Sequence, residues 1–205
     1  MIDINCDMGE GMNNDALIMP YITSANIACG YHAGDEETIR RTIALALAHH
    51  VNIGAHPSFR DRANFGRKEF HLPLTEVYDL ITEQLWIIKK IVDEMGTRLH
   101  HIKPHGALYN LSAKDEGIAS TIAKAITDFD AGLVVLGLSG SVSIRAARSA
   151  GLNNTRARSP PRRALRETPA ARPRRDPRGA HGGGPLPVRP RSRIGSSSRP
   201  GRRVR

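Results

Sequence analysis

The sequence predicts an α/β fold built on parallel strands, and three observations carry that prediction. Short apolar runs alternate with longer segments of helical periodicity. Four of the runs lead directly into turns that bear histidine or acid. The alternation stops near Gly151, where the composition changes. Strands and helices alternating at this length form right-handed βαβ units, and hence a parallel sheet or barrel. In such folds the carboxyl ends of the strands make the active-site face, where residues distant in sequence meet.

In chain order, residues 2–6 and 25–29 read as the first two strands. A helix is predicted over 35–50: Asp35, Glu36 and Glu37 suit the positive end of its dipole, and Ile39, Ile43 and Leu47 recur at helical spacing. Residues 51–55 form a third strand, followed by a Gly- and Arg-containing loop over 57–73. Thr75 opens a long helix with one apolar stripe that includes Val77, Leu80, Ile81, Leu85, Ile88 and Val92, and Gly96 is its stop signal. Residues 99–104 read as a fourth strand, 112–128 as a helix with Ser112 as N-cap, 133–138 as a fifth strand and 141–150 as a last helix. Five strands are fewer than a closed barrel needs, so the barrel reads as incomplete. An open doubly wound sheet is the alternative, but the Gly-x-Gly-x-x-Gly fingerprint is absent after the first strand. The Gly-x-x-x-x-Gly-Lys-[Ser/Thr] phosphate loop is absent as well.

Residues 1–151 hold 14 Lys and Arg against 18 Asp and Glu, a net of −4, whereas residues 152–205 hold 16 Arg, no Lys and 2 acids, a net of +14. The basic character therefore belongs to the 152–205 segment, which also carries 9 of the 13 prolines and no aromatic residue. Such a segment cannot bury enough apolar surface to offset the entropy of ordering, so it reads as a disordered Arg/Pro-rich tail behind a catalytic domain over 1–151. Without aromatics to stack on bases it does not read as a nucleic-acid arm. Arg without Lys, amid Pro, Gly, Ala and Ser, is what a GC-rich coding sequence yields out of frame. A frameshift shortly after Gly151 or Leu152 is the expectation, and resequencing that junction tests it. No apolar run reaches the roughly 18 residues that cross a bilayer, and residues 1–5 lack the pattern of a secretory signal, so a cytoplasmic location is expected. Cys6 and Cys29 stand at strand ends as free thiols, each either a nucleophile or a small residue beneath the site.

The strand-end turns carry the chemistry. Asp7 and Glu10 flank glycines in Asp7-Met8-Gly9-Glu10-Gly11, where paired carboxylates can bind a metal or act as acid and base. His32 lies in a Gly-rich turn that ends in Asp35, the expected N-cap. His56 precedes Pro57, a rigid exit. Lys103 and His105 bracket Pro104, and a desolvated Lys there can steady an oxyanion or a phosphate. Arg62 and Arg67 could clamp a carboxylate. His49, His50, His71, His100 and His101 have no comparable placement and read as surface or packing groups.

The runs 5–10, 25–35, 54–58 with 65–67, and 103–110 resemble the LamB/YcsF family, and the resemblance covers residues 1 to about 151. It implies a TIM-like (β/α) barrel of the glycoside hydrolase/deacetylase type, with no counterpart of the later family motifs after Leu152. It further implies the activity of the A component of bacterial 5-oxoprolinase: ATP-dependent opening of 5-oxoproline to L-glutamate, with Mg2+ as the nucleotide's counterion and with partner subunits B and C. On that resemblance Asp7, His32, His56, His105 and Lys103 are the expected catalytic residues. Glu10, Arg67 and Asn110 are expected to hold substrate or phosphate, and Asp7, His32 and His56 to ligate any bound metal. The alternatives are a metal-dependent deacetylase or amidohydrolase without ATP, a non-catalytic binding protein and an inactive truncated product.

Overall fold

The computed structural model describes residues 3–157. Six parallel strands form one sheet in the order β1 (Asn5–Met8), β2 (Ser24–Ala28), β3 (Asn52–His56), β4 (His101–Ile102), β5 (Val134–Leu138) and β6 (Asn154–Ala157). Spatial order equals chain order, which is the winding of a barrel; a doubly wound sheet reverses direction partway. The fold is an α/β half-barrel. β6 was not among the five strands read from sequence, and it lies beyond the boundary drawn at 151. The tail expected over 152–205 falls outside the described residues from 158 onward.

Between the strands lie α1 (Asp15–Ile18), α2 (Glu36–Ala48), α3 (Leu74–Glu94), α4 (Gly106–Ser112), α5 (Glu116–Asp130) and α6 (Val142–Ser149). Asp35 caps α2 as expected, its carboxylate accepting from the Thr38 N–H at 2.8 Å. The helix predicted over 112–128 starts later, at Glu116, and Ser112 belongs to the helix before it. Ser112 ends α4, its hydroxyl donating to the Tyr109 carbonyl, and the N-cap of α5 is Asp115, which accepts from the Ile118 N–H at 2.9 Å. A carboxylate placed to take an orphan N–H makes a natural helix start, whereas the Ser112 hydroxyl is turned back onto the preceding turn.

Side chains alternate across each strand, and the two faces differ in chemistry. Ala25 and Ile27 of β2, Ile53 and Ala55 of β3, Ile102 of β4 and Val135 of β5 all lie in the hydrophobic core, with the helix stripes. α3 contributes Val77, Leu80, Ile81, Leu85, Ile88, Ile91 and Val92 to that core, each worth about 1.5–3 kcal/mol when fully buried. It packs mainly on α5, where Trp86 meets Phe129 edge to face with ring centroids 5.0 Å apart. In α2, Ala46 takes the buried position and Leu47 is exposed. The opposite sheet face carries Asn5, Asp7, Asn26, His56 and His101, so the concave side of the half-barrel is polar. None of the described helices is long and apolar enough to cross a membrane.

Candidate functional site

Register builds the floor of the site. Asp7 of β1 pairs with Asn26 of β2, Asn26 with Gly54 of β3, and Gly54 with His101 of β4. Because Gly54 has no side chain, the His101 ring lies across it and its Nε2 reaches the side-chain oxygen Oδ1 of Asn26 at 2.8 Å. A Cβ on Gly54 would stand 2.0 Å from that nitrogen. The Asn26 amide donates onward to Asn5 Oδ1 at 3.0 Å and to Asp7 Oδ1 at 2.8 Å. His101, read as a surface or packing group, is thus a buried prop beneath the site, and burial pushes its pKa down to about 3.

Above this floor, Lys103 Nζ lies 2.8 Å from Asp7 Oδ1 and 3.3 Å from Asn5 Oδ1. Burial pushes the Asp7 carboxyl up, but the His56 ring and the Lys103 ammonium outweigh it and hold the group well below the usual carboxylate range. Asp7 Oδ2 is 3.4 Å from His56 Nε2, and the Asp7 side chain keeps 36% exposure, so a small molecule can reach it.

Three imidazoles and one carboxylate meet beside Asp7. Glu10 Oε1 lies 3.1 Å from His32 Nε2, 3.4 Å from His105 Nδ1 and 3.8 Å from His56 Nε2. His56 Nε2 and His105 Nδ1 are 2.9 Å apart, and the His32 and His105 rings stack with centroids 3.9 Å apart and planes 8° from parallel. The outer nitrogens of two rings face carbonyls: His56 Nδ1 donates to Lys103 O at 2.6 Å, and His105 Nε2 donates to Phe65 O at 2.9 Å. Burial, with the neighbouring histidines, pushes His105 down to about 4; burial likewise lowers His32. The 57–67 loop closes over the stack. Gly66, at φ +64°, runs so near that a Cβ would sit 2.1 Å from Ser58 Oγ and 3.0 Å from His32 Cβ.

The structure therefore gathers Asp7, Glu10, His32, His56, Lys103 and His105 at one strand-end site. The metal-capable set is Glu10, His32, His56 and His105, whose ligand atoms all lie within 4.8 Å of one another. Glu10 takes the place expected for Asp7, which is occupied by Lys103 and Asn26. Arg67 is exposed, its guanidinium lies over the Phe65 ring at 5.2 Å, and it shares none of the hydrogen bonds of the cluster. Asn110 is exposed on α4 and shares none of the hydrogen bonds of the cluster. Arg62 is spent on structure, donating to the carbonyls of Gly30 and Gly34. Neither thiol suits nucleophilic attack: burial pushes Cys29 up to about 12, and burial and Asp7 raise Cys6. The sequence reading missed Asn26 and Asn5, although an Asn inside a short apolar strand is itself a signal, because a buried amide demands partners.

A family model described as the LamB/YcsF family matches residues 2–180. The A component of the 5-oxoprolinase of Bordetella pertussis is 50% identical over 156 residues, which are 74% of this chain and 62% of that protein. The corresponding 5-oxoprolinase component of Tolumonas auensis is 47% identical over the same extent. The chain thus spans 62% of the length of these curated relatives. The crystal structure of a lactam utilization protein from Thermus thermophilus superposes with a TM-score of 0.73 at 41% identity, over 75% of this chain and 64% of that one.

Proposed function

The chain belongs to the LamB/YcsF family, and from that premise we propose that it serves the hydrolysis of a cyclic amide, the ATP-dependent opening of 5-oxoproline to L-glutamate, together with partner subunits B and C. The names of its relatives support the substrate class: a lactam is a cyclic amide, and the similar curated proteins are components of a 5-oxoprolinase. The observation that carries the reading is the chain of contacts from Lys103 through Asp7 and His56 to His105 at the mouth of a half-barrel.

A five-membered lactam is a poor electrophile. ATP, with Mg2+ as its counterion, would supply a leaving group by phosphorylating the lactam oxygen. Water must then be deprotonated as it attacks the ring carbon, and the C–N bond must break with a proton passing to the ring nitrogen. The acyl phosphate left behind must be hydrolysed by a second water to the carboxylate and inorganic phosphate, with the negative charge steadied throughout. Asp7 is held too acidic to be a good base and acts as the orienting partner. His56, fixed by the Lys103 carbonyl and flanked by Asp7, Glu10 and His105, takes the proton on Nε2, the ring nitrogen that faces the open side of Asp7. Lys103 faces the oxyanion or phosphate. Glu10 and His32 hold the base in place, and Arg67 at the rim binds the substrate carboxylate, with Asn110 as an outer contact. The protein's place of action on this reading is the cytoplasm.

The test is ATP-dependent glutamate release from 5-oxoproline by this chain mixed with subunits B and C, beside the full-length Bordetella pertussis relative. His56→Ala or His105→Ala in the intact-length protein is expected to lower turnover about 10²–10⁴-fold. Unchanged turnover in either variant removes that residue from the mechanism. Activity in the long protein alone would assign the reaction to the family and leave this shorter chain inactive. The imidazole and carboxylate cluster favours a second reading, a metal-dependent amidohydrolase, which ATP-independent turnover would establish.

A further inference from the structure

We propose that Glu10, His32, His56 and His105 bind one divalent first-row transition-metal ion, of the zinc, cobalt or manganese type. The proposal adds a metal ion to the site assigned above and rests on that reading only for the use the ion would serve; the binding itself rests on donor geometry. An ion held through His56 Nε2 would take that nitrogen out of use as the base and would itself make the attacking water more acidic.

Two backbone carbonyls fix the argument. The Lys103 carbonyl takes the Nδ1 proton of His56, and the Phe65 carbonyl takes the Nε2 proton of His105. Each neutral ring therefore turns a lone pair inward, and these two lone pairs face each other across 2.9 Å. The Glu10 carboxylate, an acceptor only, is 3.4 Å from one and 3.8 Å from the other. Three acceptors cannot hydrogen-bond among themselves; a cation between them turns the repulsion into ligation. His32 is buried and has the same difficulty. With a proton on Nε2 it serves Glu10 and leaves Nδ1, which has no partner, with an unused lone pair. With the proton on Nδ1 it adds a further inward lone pair.

Distances and donor types agree with this assignment. Around a tetrahedral ion with bonds of about 2.0 Å, donors stand roughly 3.3 Å apart. Four of the six separations, 2.9, 3.1, 3.4 and 3.8 Å, bracket that value, and all six lie within 4.8 Å, so His32 would move inward as the ion binds. Three imidazoles with one carboxylate select borderline ions over Mg2+ or Ca2+, which prefer oxygen donors. The carbonyls behind His56 and His105 are the outer partners that orient metal-ligating imidazoles. Asp7 Oδ2, 3.4 Å from His56 Nε2 and open to solvent, borders the side from which a water or substrate would approach.

The full chain, stripped with a chelator, should be titrated with Zn2+ by calorimetry and with Co2+ by visible absorption. One equivalent of each is expected, with Co2+ ligand-field bands of a low-symmetry nitrogen and oxygen site. Glu10→Gln and His105→Ala should each weaken Zn2+ binding more than about a hundredfold, beyond the roughly 10–100-fold that loss of an outer partner costs. His71→Ala, at an exposed histidine, should leave it unchanged. X-ray absorption at the zinc edge of the unmodified chain should show imidazole and oxygen neighbours, a readout that survives any variant that fails to fold. Absence of heat and bands, or Zn2+ binding by Glu10→Gln and His105→Ala as tight as by the unmodified chain, would overturn the proposal. So would a proton shared between His56 and His105 at neutral pH, seen by NMR, that excess Zn2+ fails to displace. Metal binding with no 5-oxoproline turnover alongside B and C, by this chain or by the full-length relative, would sink the hydrolase reading and leave this one standing.

Discussion

The side chain missing at Gly54 does as much for the site as the side chains present. Its empty place admits the His101 ring, which braces Asn26, which in turn holds Asp7 against Lys103. Gly54→Ala forces a methyl to 2.0 Å from a buried ring on a central strand, where neither partner can retreat. A loss of at least about 1–3 kcal/mol is expected, measured as a lower urea midpoint. His101→Ala in the same chain should restore part of the loss, because it vacates the contested space. Additive losses in the double variant would show that the contact does not set the cost. The alternation of apolar and polar positions around Asn26 was legible in the sequence, but the partner 75 residues away was not, since nothing local in residues 99–104 says that His101 points inward.

Helix starts set where the loops turn, and here a single carboxylate decides. Asp115 takes the Ile118 N–H and separates α5 from α4, whose N-cap position is His105 itself. Asp115→Ala is expected to cost about 1 kcal/mol, read from thermal or urea unfolding, with the metal-capable cluster unaffected. An equal loss from Ser112→Ala would mean that the helix start lies where the sequence pattern first placed it. The loop over 57–67 is the element least legible in advance. Its charged residues read as a clamp, yet Arg62 holds backbone, Arg67 stacks on Phe65, and the contribution to the site comes from the Phe65 carbonyl and the bare backbone of Gly66. Sequence patterns report side chains, and this loop reaches the imidazoles through its main chain, with Arg67 left at the rim.

For the molecule as a whole, the polar concave face makes stability depend on pH. His101 at about 3 and His105 at about 4 resist protonation in the folded state, whereas an unfolded histidine titrates near 6.5. Between those values the unfolded chain binds protons that the folded chain refuses, so stability falls as pH drops below about 6.5. Asp7 acts lower: its depressed carboxyl adds stability above the ordinary carboxylate value, and that contribution fades as pH falls toward its folded value. Urea midpoints should therefore decline between about pH 7 and 4.5, before most carboxylates titrate, and His101→Gln should flatten the decline. A midpoint constant over that range in the unmodified chain would contradict the burial of neutral histidines. Among the described residues β1 and β6 each pair on one side only, so the sheet is a half-barrel with two open edges.

The sequence by itself determined the parallel α/β class, the strand-end turns and the candidates Asp7, His32, His56, Lys103 and His105. Those follow from periodicity, turn chemistry and the rule that strand ends face the site, all of them local in the chain. Only the tertiary structure decided that Glu10 joins the three imidazoles, that Asp7 is bound to Lys103 and Asn26, that Asn110 stands apart, and that a sixth strand follows Gly151. Each of these depends on inter-strand register, on a carbonyl aimed across a turn or on the pairing of β6 with β5. Such contacts join residues whose separation along the chain leaves no periodic trace, because they are selected by packing after the local elements have formed.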